Sequence, residues 1–267
     1  MFELLQYEFM RNAIMAGILA SIACGVVGAL VVIKRMVFIS GGISHAAFGG
    51  IGLGYLIGID PILGALIFTI ISALGMGVMH RKIGISEDAA IGVLWVLGMA
   101  LGIIFIELRA GYAPDLFGYL FGNILTVPKS DLVIMLILDL AILSVAILLY
   151  KEFLAVSFDE EFAVVAGVPA DLIYMTLLSL IALTVVVMIR IVGVILTIAM
   201  LTIPTTIAWQ FSYNLKEIML IATLMSSTFI IGGLWLSYIM NLAPGATIVL
   251  ISIAAFAFSS IIKKSLR

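Results

Sequence analysis

His45 is one of two histidines in the chain. It stands in the run ISGGISHAAFGGIGLGYLIG, where an imidazole has few polar neighbours. Neutral imidazole ligates divalent transition metals, and ionisable groups within a membrane tend to line pathways. The other reading is a packing helix whose histidine is hydrogen-bonded to a neighbouring carbonyl. Asp139, in DLVIMLILDLAIL, poses a similar choice. A carboxylate in hydrocarbon costs about 2.5–3.5 kcal/mol on insertion scales, so it must face the bundle interior or a wet cavity. There it is a metal or proton site, or a neutral acid hydrogen-bonded to backbone.

A third concentration of chemistry is SFDEEFAVVAGVPAD, residues 157–171. Three carboxylates, Asp159, Glu160 and Glu161, lie between Phe158 and an apolar turn that begins Phe162-Ala163, and Gly167 and Pro169 close it. A short acidic segment with its own cap signals, set between long apolar runs, suits a surface that receives a partner protein. A solvated loop is the plainer account. The run RIVGVILTIAMLTIPTTIAW carries Gly193 near its start and Pro204 inside. Both residues weaken or break a membrane helix, and broken helices expose backbone carbonyls to a cavity; a kink made for packing explains them equally well.

The remaining polar features read more simply. His80-Arg81-Lys82 is a solvated basic turn, and Glu107, Arg109 and Asp115 are loop charges. The 14 methionines are scattered rather than clustered, as core filler. The single cysteine, Cys24, excludes a disulfide framework and any multi-cysteine metal site. There is no P-loop, no HExxH and no nucleophile elbow, so the chain is not expected to be an enzyme or to bind ATP itself. No basic block of the nucleic-acid-binding kind is present, and no removable signal peptide is evident.

The elements that position these residues must be membrane helices. The chain is 64% hydrophobic with a mean hydropathy of +1.35, and apolar windows of about 20 residues, each long enough to cross a bilayer, recur along it. Strand-like alternation is absent, so the fold class is all-α: one polytopic helical bundle over residues 1–267. Candidate spans are residues 13–33, 43–57, 61–79, 89–106, 132–150, 172–189, 191–209, 218–238 and 245–262. That makes nine, or eight if one is broken or re-entrant. Residues 2–10 suit a helix lying on the membrane surface, with Phe2, Leu5 and Phe9 on one face. Residues 114–127 are apolar but too short to span, and should lie at the interface or dip back. In the second candidate span Gly42, Ala46, Gly50, Gly54 and Gly58 recur every fourth position, a stripe that lets another helix approach closely. Placing residues 157–171 in the cytoplasm puts nine Lys and Arg inside against four outside, with the N-terminus outside and the C-terminus inside.

Six segments taken in order carry a family resemblance: VVIKRMVFISGGISHAAFGG, EDAAIGVLWVLGMALG, DLFGYLFGNILT, FDEEFAVVAGV, VGVILTIAMLTIPTTIA and LAPGATIVLIS. Over about residues 12–262 the chain resembles the permeases of the ABC-3 family of zinc/manganese importers. The resemblance implies a homodimeric cell-membrane permease that moves a divalent transition metal inward by alternating access. Its implied partners are a cytoplasmic ATPase dimer, which hydrolyses the ATP, an extracytoplasmic metal-binding protein and the surrounding lipid. It implies that residues 157–170, with Phe158, Asp159, Glu160, Glu161, Phe162, Ala163 and Gly167, form the coupling helix that docks on the ATPase. It also places the metal at His45; Asp139, on another span, is the candidate for a second ligand. Many members carry an aspartate four residues before this histidine, where the present chain has Gly41. Zinc is the favoured ion; manganese or iron would call for more oxygen ligands. A stand-alone secondary carrier is a competing expectation, and it leaves the acidic segment without a purpose.

Overall fold

The computed structural model describes residues 6–109 and 116–265. Phe2, Glu3 and Leu5 of the expected surface helix lie outside the described residues, as do Pro114 and Asp115. The described end of that surface helix belongs to α1, which runs Glu8–Ile33. There follow α2 (Val37–Ile57), α3 (Pro61–Arg81), α4 (Glu87–Glu107), the short α5 (Leu116–Phe121) and a 3-10 turn (Ile124–Thr126). The chain continues through α6 (Lys129–Leu148), α7 (Tyr150–Phe158), α8 (Glu160–Val165), α9 (Ala170–Phe211), α10 (Leu215–Met240) and α11 (Pro244–Ser265). Nine helical segments among the described residues are long and apolar enough to cross a membrane, with α9 supplying two of them, Ala170–Ile189 and Ile191–Phe211. The second span starts at Val37, earlier than the apolar pattern suggested.

Local chemistry sets the boundaries. Asp60 accepts a hydrogen bond from the Ile62 amide at 2.7 Å, with Pro61 as the first helical residue, so α3 starts cleanly. Asn214 caps α10 in the same way, accepting from Lys216 at 3.0 Å. Between α7 and α8 the backbone of Asp159 is extended (φ −149°, ψ 98°), and its carboxylate accepts from the Phe162 amide at 2.9 Å. The acidic segment is therefore a corner between two helices and not a loop.

Two groups of helices meet at α9. One is α2 with α3 and α4; the other is α1 with α6 and α10, and α11 closes against α9 and α10. Leu178, Ile181, Ala182, Val185, Met188 and Val192 of α9 are all buried in that junction. Lipid tails are as apolar as leucine, so close van der Waals packing has to replace the hydrophobic drive between helices. The small-residue stripe supplies it. Gly50 meets the backbone of α3 at Gly64, while Ala46 and Gly52 meet α4 at Gly98 and Gly102.

Gly193 breaks α9 with φ 77° and ψ 173°, a conformation that L side chains rarely adopt. The backbone of Leu120–Gly122 lies directly against it, and Gly122 also has positive φ (72°). Residues 116–127 thus dip into the bundle. Ile124, fully buried, sits beside Gly17, roughly two and a half turns into α1, and the Asn12 amide donates to the Val127 carbonyl at 3.2 Å.

Pro204 lies inside the second half of α9. The helix Ile191–Phe211 continues through it without a break. Proline removes one backbone donor, yet neighbouring helices can hold a membrane helix straight across such a gap, and Pro204 is buried against them.

Replacing Gly193 with alanine should therefore be severe. The strained φ and the clash with Leu120 and Gly122 together should cost more than about 2 kcal/mol, read as a large drop in the melting temperature of detergent-purified protein. Gly75→Ala, a helical site with open space around it, should leave the melt unchanged or raise it slightly.

Candidate functional site

The acidic segment is fastened to the bundle through one carboxylate. Glu160, the first residue of α8, accepts from Lys34 Nζ at 2.7 Å through one oxygen and pairs with Arg81 Nη1 at 2.6 Å through the other. Lys34 follows α1 and Arg81 ends α3, so two transmembrane helices and α8 share one ion cluster. Arg81 also lies 3.6 Å from Asp171 in the first turn of α9 and 4.4 Å above the Tyr174 ring. The Tyr174 hydroxyl in turn donates to Glu87 at 3.0 Å, and His80 Nε2 is 3.7 Å from the same carboxylate. The basic turn at residues 80–82 is thus not simply solvated. Its arginine is a cation of this cluster, and its histidine ring lies against the Glu87 carboxylate.

The side chains of Lys34, Arg81 and Glu160 are 16–30% exposed, so water screens them only in part. Hydrogen bonding to the Arg81 guanidinium, and next to the Lys34 ammonium, holds the Glu160 carboxyl at about 2, far below its ordinary value, against the opposing effect of burial.

The rest of α8 turns outward. Ala163 is buried against the bundle, whereas Phe162 (67%) and Val165 (86%) of α8, and Phe158 (68%) at the end of α7, are exposed beyond the ion cluster. Glu161 and Gly167 are also exposed, and Gly167 takes the left-handed conformation that ends the helix (φ 86°). Glu160 and Ala163 hold this element, and three large apolar side chains project from its polar end of the bundle. The corner is thus anchored on its inner side and apolar on its outer side.

His45 lies deeper, on α2. Its imidazole is stacked on the Trp95 indole of α4, with centroids 4.0 Å apart and planes 9° from parallel. The close α2–α4 approach at Ala46 and Gly98 permits this stack. Nδ1 is buried and has no hydrogen-bond partner among the described residues, so that nitrogen is free for a ligand. One turn earlier, a side chain at Gly41 would point at Ile198 Cδ1, only 3.0 Å from the Cβ position. Where the resemblance expects a carboxylate, this chain has an apolar neighbour instead.

Asp139 is 2% exposed, and neither carboxylate oxygen has a hydrogen-bond partner among the described residues. It lies within electrostatic reach of Cys24 on α1, whose thiol donates to Met188 Sδ at 3.2 Å. His45 packs with α4 while α6 packs on α1 and α9, so the two candidate ligands occupy different parts of the bundle. Among the described residues no three His, Cys, Asp or Glu side chains gather into a metal site.

The family model of the ABC 3 transport family matches residues 6–263. The chain belongs to the ABC 3 transport family. A manganese transport system membrane protein of Halalkalibacterium halodurans is 35% identical over 257 residues, covering 96% of this chain and 88% of that protein. An uncharacterized membrane protein of Synechocystis is 49% identical over 259 residues, covering 97% and 92%. In structure, PsaBC of Streptococcus pneumoniae, solved in complex with Fab, superposes with a TM-score of 0.87 at 33% identity, covering 96% of this chain and 92% of its counterpart. This ABC 3 protein is a membrane-spanning permease of an ABC transport system.

Sequence reasoning missed the partners of the functional residues in this ABC 3 permease. Trp95 sits in the segment EDAAIGVLWVLGMALG without any local sign that it faces His45. The VVIK end of α1 and the HRK turn are separated from Glu160 by 126 and 79 positions; an unpaired acidic run opposite two basic span ends was the one available signal.

Glu160→Ala should free α8. A hydrogen bond to a charged group contributes about 1.5–3 kcal/mol, so amide hydrogen exchange over α8 should quicken at least tenfold while the spans stay protected. The pH dependence has a definite sign. The carboxyl is held at about 2 in the fold against 4.5 ordinarily, so its stabilisation is complete above about 4.5 and is lost as pH falls through about 2. Exchange protection of α8 should follow that curve in the native chain and be flat over it in Glu160→Gln.

Proposed function

We propose that this chain is the permease subunit of an ATP-driven importer of a divalent transition metal, working as a pair in the cell membrane. The observation that carries the reading is the α7–α8 corner, tied by Glu160 to α1 and α3 and exposing Phe158 at the end of α7 and Phe162 and Val165 on α8. A handle that grips two spans through a part-buried ion cluster is suited to carrying the motion of an ATPase dimer into the bundle. The Lys and Arg bias assigns that end to the cytoplasm, with the N-terminus outside and the C-terminus inside. ATP hydrolysis then falls to a separate subunit, and an extracytoplasmic binding protein delivers the ion at the opposite end.

Manganese is the preferred cargo. Relatives from two bacteria, 35–36% identical to this chain, are named as manganese transport proteins. The zinc expectation rested on the single imidazole of His45, and no cluster of three His, Cys, Asp or Glu side chains forms around it among the described residues. His45, held flat by Trp95 with a free ring nitrogen, is the residue past which the ion moves. A single protein ligand binds weakly, which suits transit. Trp95 is 36% exposed on the outside of the monomer, so a second copy covering α4 would enclose the His45 site. Asp139 is assigned a supporting role as a buried acid on the α1–α6 side, and Gly193 the role of the joint at which α9 flexes.

The test is uptake of Mn²⁺, Zn²⁺ and Fe²⁺ into proteoliposomes holding permease, ATPase and binding protein. ATP-dependent Mn²⁺ uptake is expected, with His45→Ala reducing it at least tenfold at unchanged expression. Phe158→Asp with Phe162→Asp should abolish ATPase co-purification and uptake together. Uptake that proceeds without the ATPase would establish a secondary carrier instead.

A further inference from the structure

We propose that the groove between α1, α6 and α10 binds one anionic glycerophospholipid of the phosphatidylglycerol type, with its phosphate at Lys151 and Lys216 and an acyl chain lying along the helices. The groove measures ≈ 850 Å³. Its walls are Ile22 and Val26 of α1, Leu143 and Ile147 of α6, and Met219 and Leu220 of α10. Those six side chains are apolar and branched or flexible, as an acyl chain requires. Thr223 also lines the groove, with its hydroxyl donating to the Met219 carbonyl, and the charged residues Lys151, Glu152 and Lys216 form the mouth with Tyr150.

That mouth lies at the α6–α7 corner and the start of α10, the same end of the bundle as the Glu160 cluster. Basic pockets between spans at this depth recognise lipid phosphates. Lys216 Nζ stands 5.0 Å from the Tyr150 ring centroid, which holds the ammonium over the groove without neutralising it. Neither lysine has a carboxylate within ion-pairing distance among the described residues. Glu152 Oε2 is buried and lacks a hydrogen-bond partner among the described residues.

Charge and hydrogen bonding then select the head group. Two ammonium groups and one carboxylate leave a single positive charge, which one phosphodiester balances. The unpartnered Glu152 oxygen needs a donor, and the hydroxyls of a glycerol head group supply one beside the phosphate. A choline head group offers no donor, and it brings a cation next to two lysines. Ethanolamine can donate, but its own charge leaves the lysine pair unbalanced. The lipid buttresses the corner from which α8 hangs; the site is separate from His45 and stands whatever ion is carried.

Native mass spectrometry of the full-length protein in detergent tests the site. The probes are phosphatidylglycerol, phosphatidylethanolamine and phosphatidylcholine with identical acyl chains, added in equal amounts. One phosphatidylglycerol should be retained in preference to the other two. Each lysine near a membrane surface strengthens such binding roughly fivefold, so Lys151→Gln with Lys216→Gln should lower its retention about 25-fold. Lys263→Gln with Lys264→Gln, at the end of α11, should leave it unchanged. Equal retention of the three lipids by the native chain overturns the proposal, as does undiminished phosphatidylglycerol retention by the Lys151/Lys216 variant.

Discussion

One carboxylate shared between two cations organises the polar end of this permease. Glu160 reaches Lys34 with one oxygen and Arg81 with the other, so α8 cannot move independently of α1 and α3. Such a pair is only partly desolvated, and it has further support: Arg81 stacks on Tyr174 and faces Asp171, while Tyr174 holds Glu87 at the start of α4. Four spans therefore converge on the base of a six-residue helix. Because α8 spends its polar anchor inward, its remaining large side chains must face outward. Exposed phenylalanines in that position are a consequence of the anchoring, and they make a protein surface suitable for docking.

The bundle itself answers a different constraint. With no hydrophobic drive between helices in lipid, contact depends on how closely backbones approach. The glycines and alanine of α2 bring it against α3 and α4 together, and the His45–Trp95 stack follows from that distance. The joint in α9 uses the same device at its limit. Gly193 and Gly122 both hold positive φ, and their backbones touch where the chain dips in from α5. The residue that bends α9 is thus also the one on which the re-entrant segment rests.

Much of the fold was legible in the sequence because span length and hydropathy are strong signals. The dipping segment before Val127 was readable for the same reason, being apolar and too short. Boundaries were less so: the glycine-rich start of α2 lowered its local hydropathy and hid the first turn at Val37. Pro204 sits within a continuous helix because a membrane helix tolerates a missing donor when its neighbours hold it. The site was half legible. Asp159, Glu160 and Glu161 announced a special element, and their division of labour as cap, anchor and exposed charge did not. That division depends on Lys34 and Arg81, which only the tertiary fold brings near. His45 stood out by its type, while Trp95 did not, since an indole in an apolar run is unremarkable until its partner is placed.

We propose that the Glu160 cluster carries force between the ATPase surface and the spans. The most direct measurement is the number of metal ions imported per ATP hydrolysed by the complete transporter in proteoliposomes, compared across charge variants. Glu160→Arg alone should uncouple the two, with hydrolysis continuing and uptake falling at least tenfold. Adding Lys34→Glu and Arg81→Glu, which rebuilds the cluster with its signs reversed, should restore most of the native ratio. A native ratio in Glu160→Arg alone would contradict it.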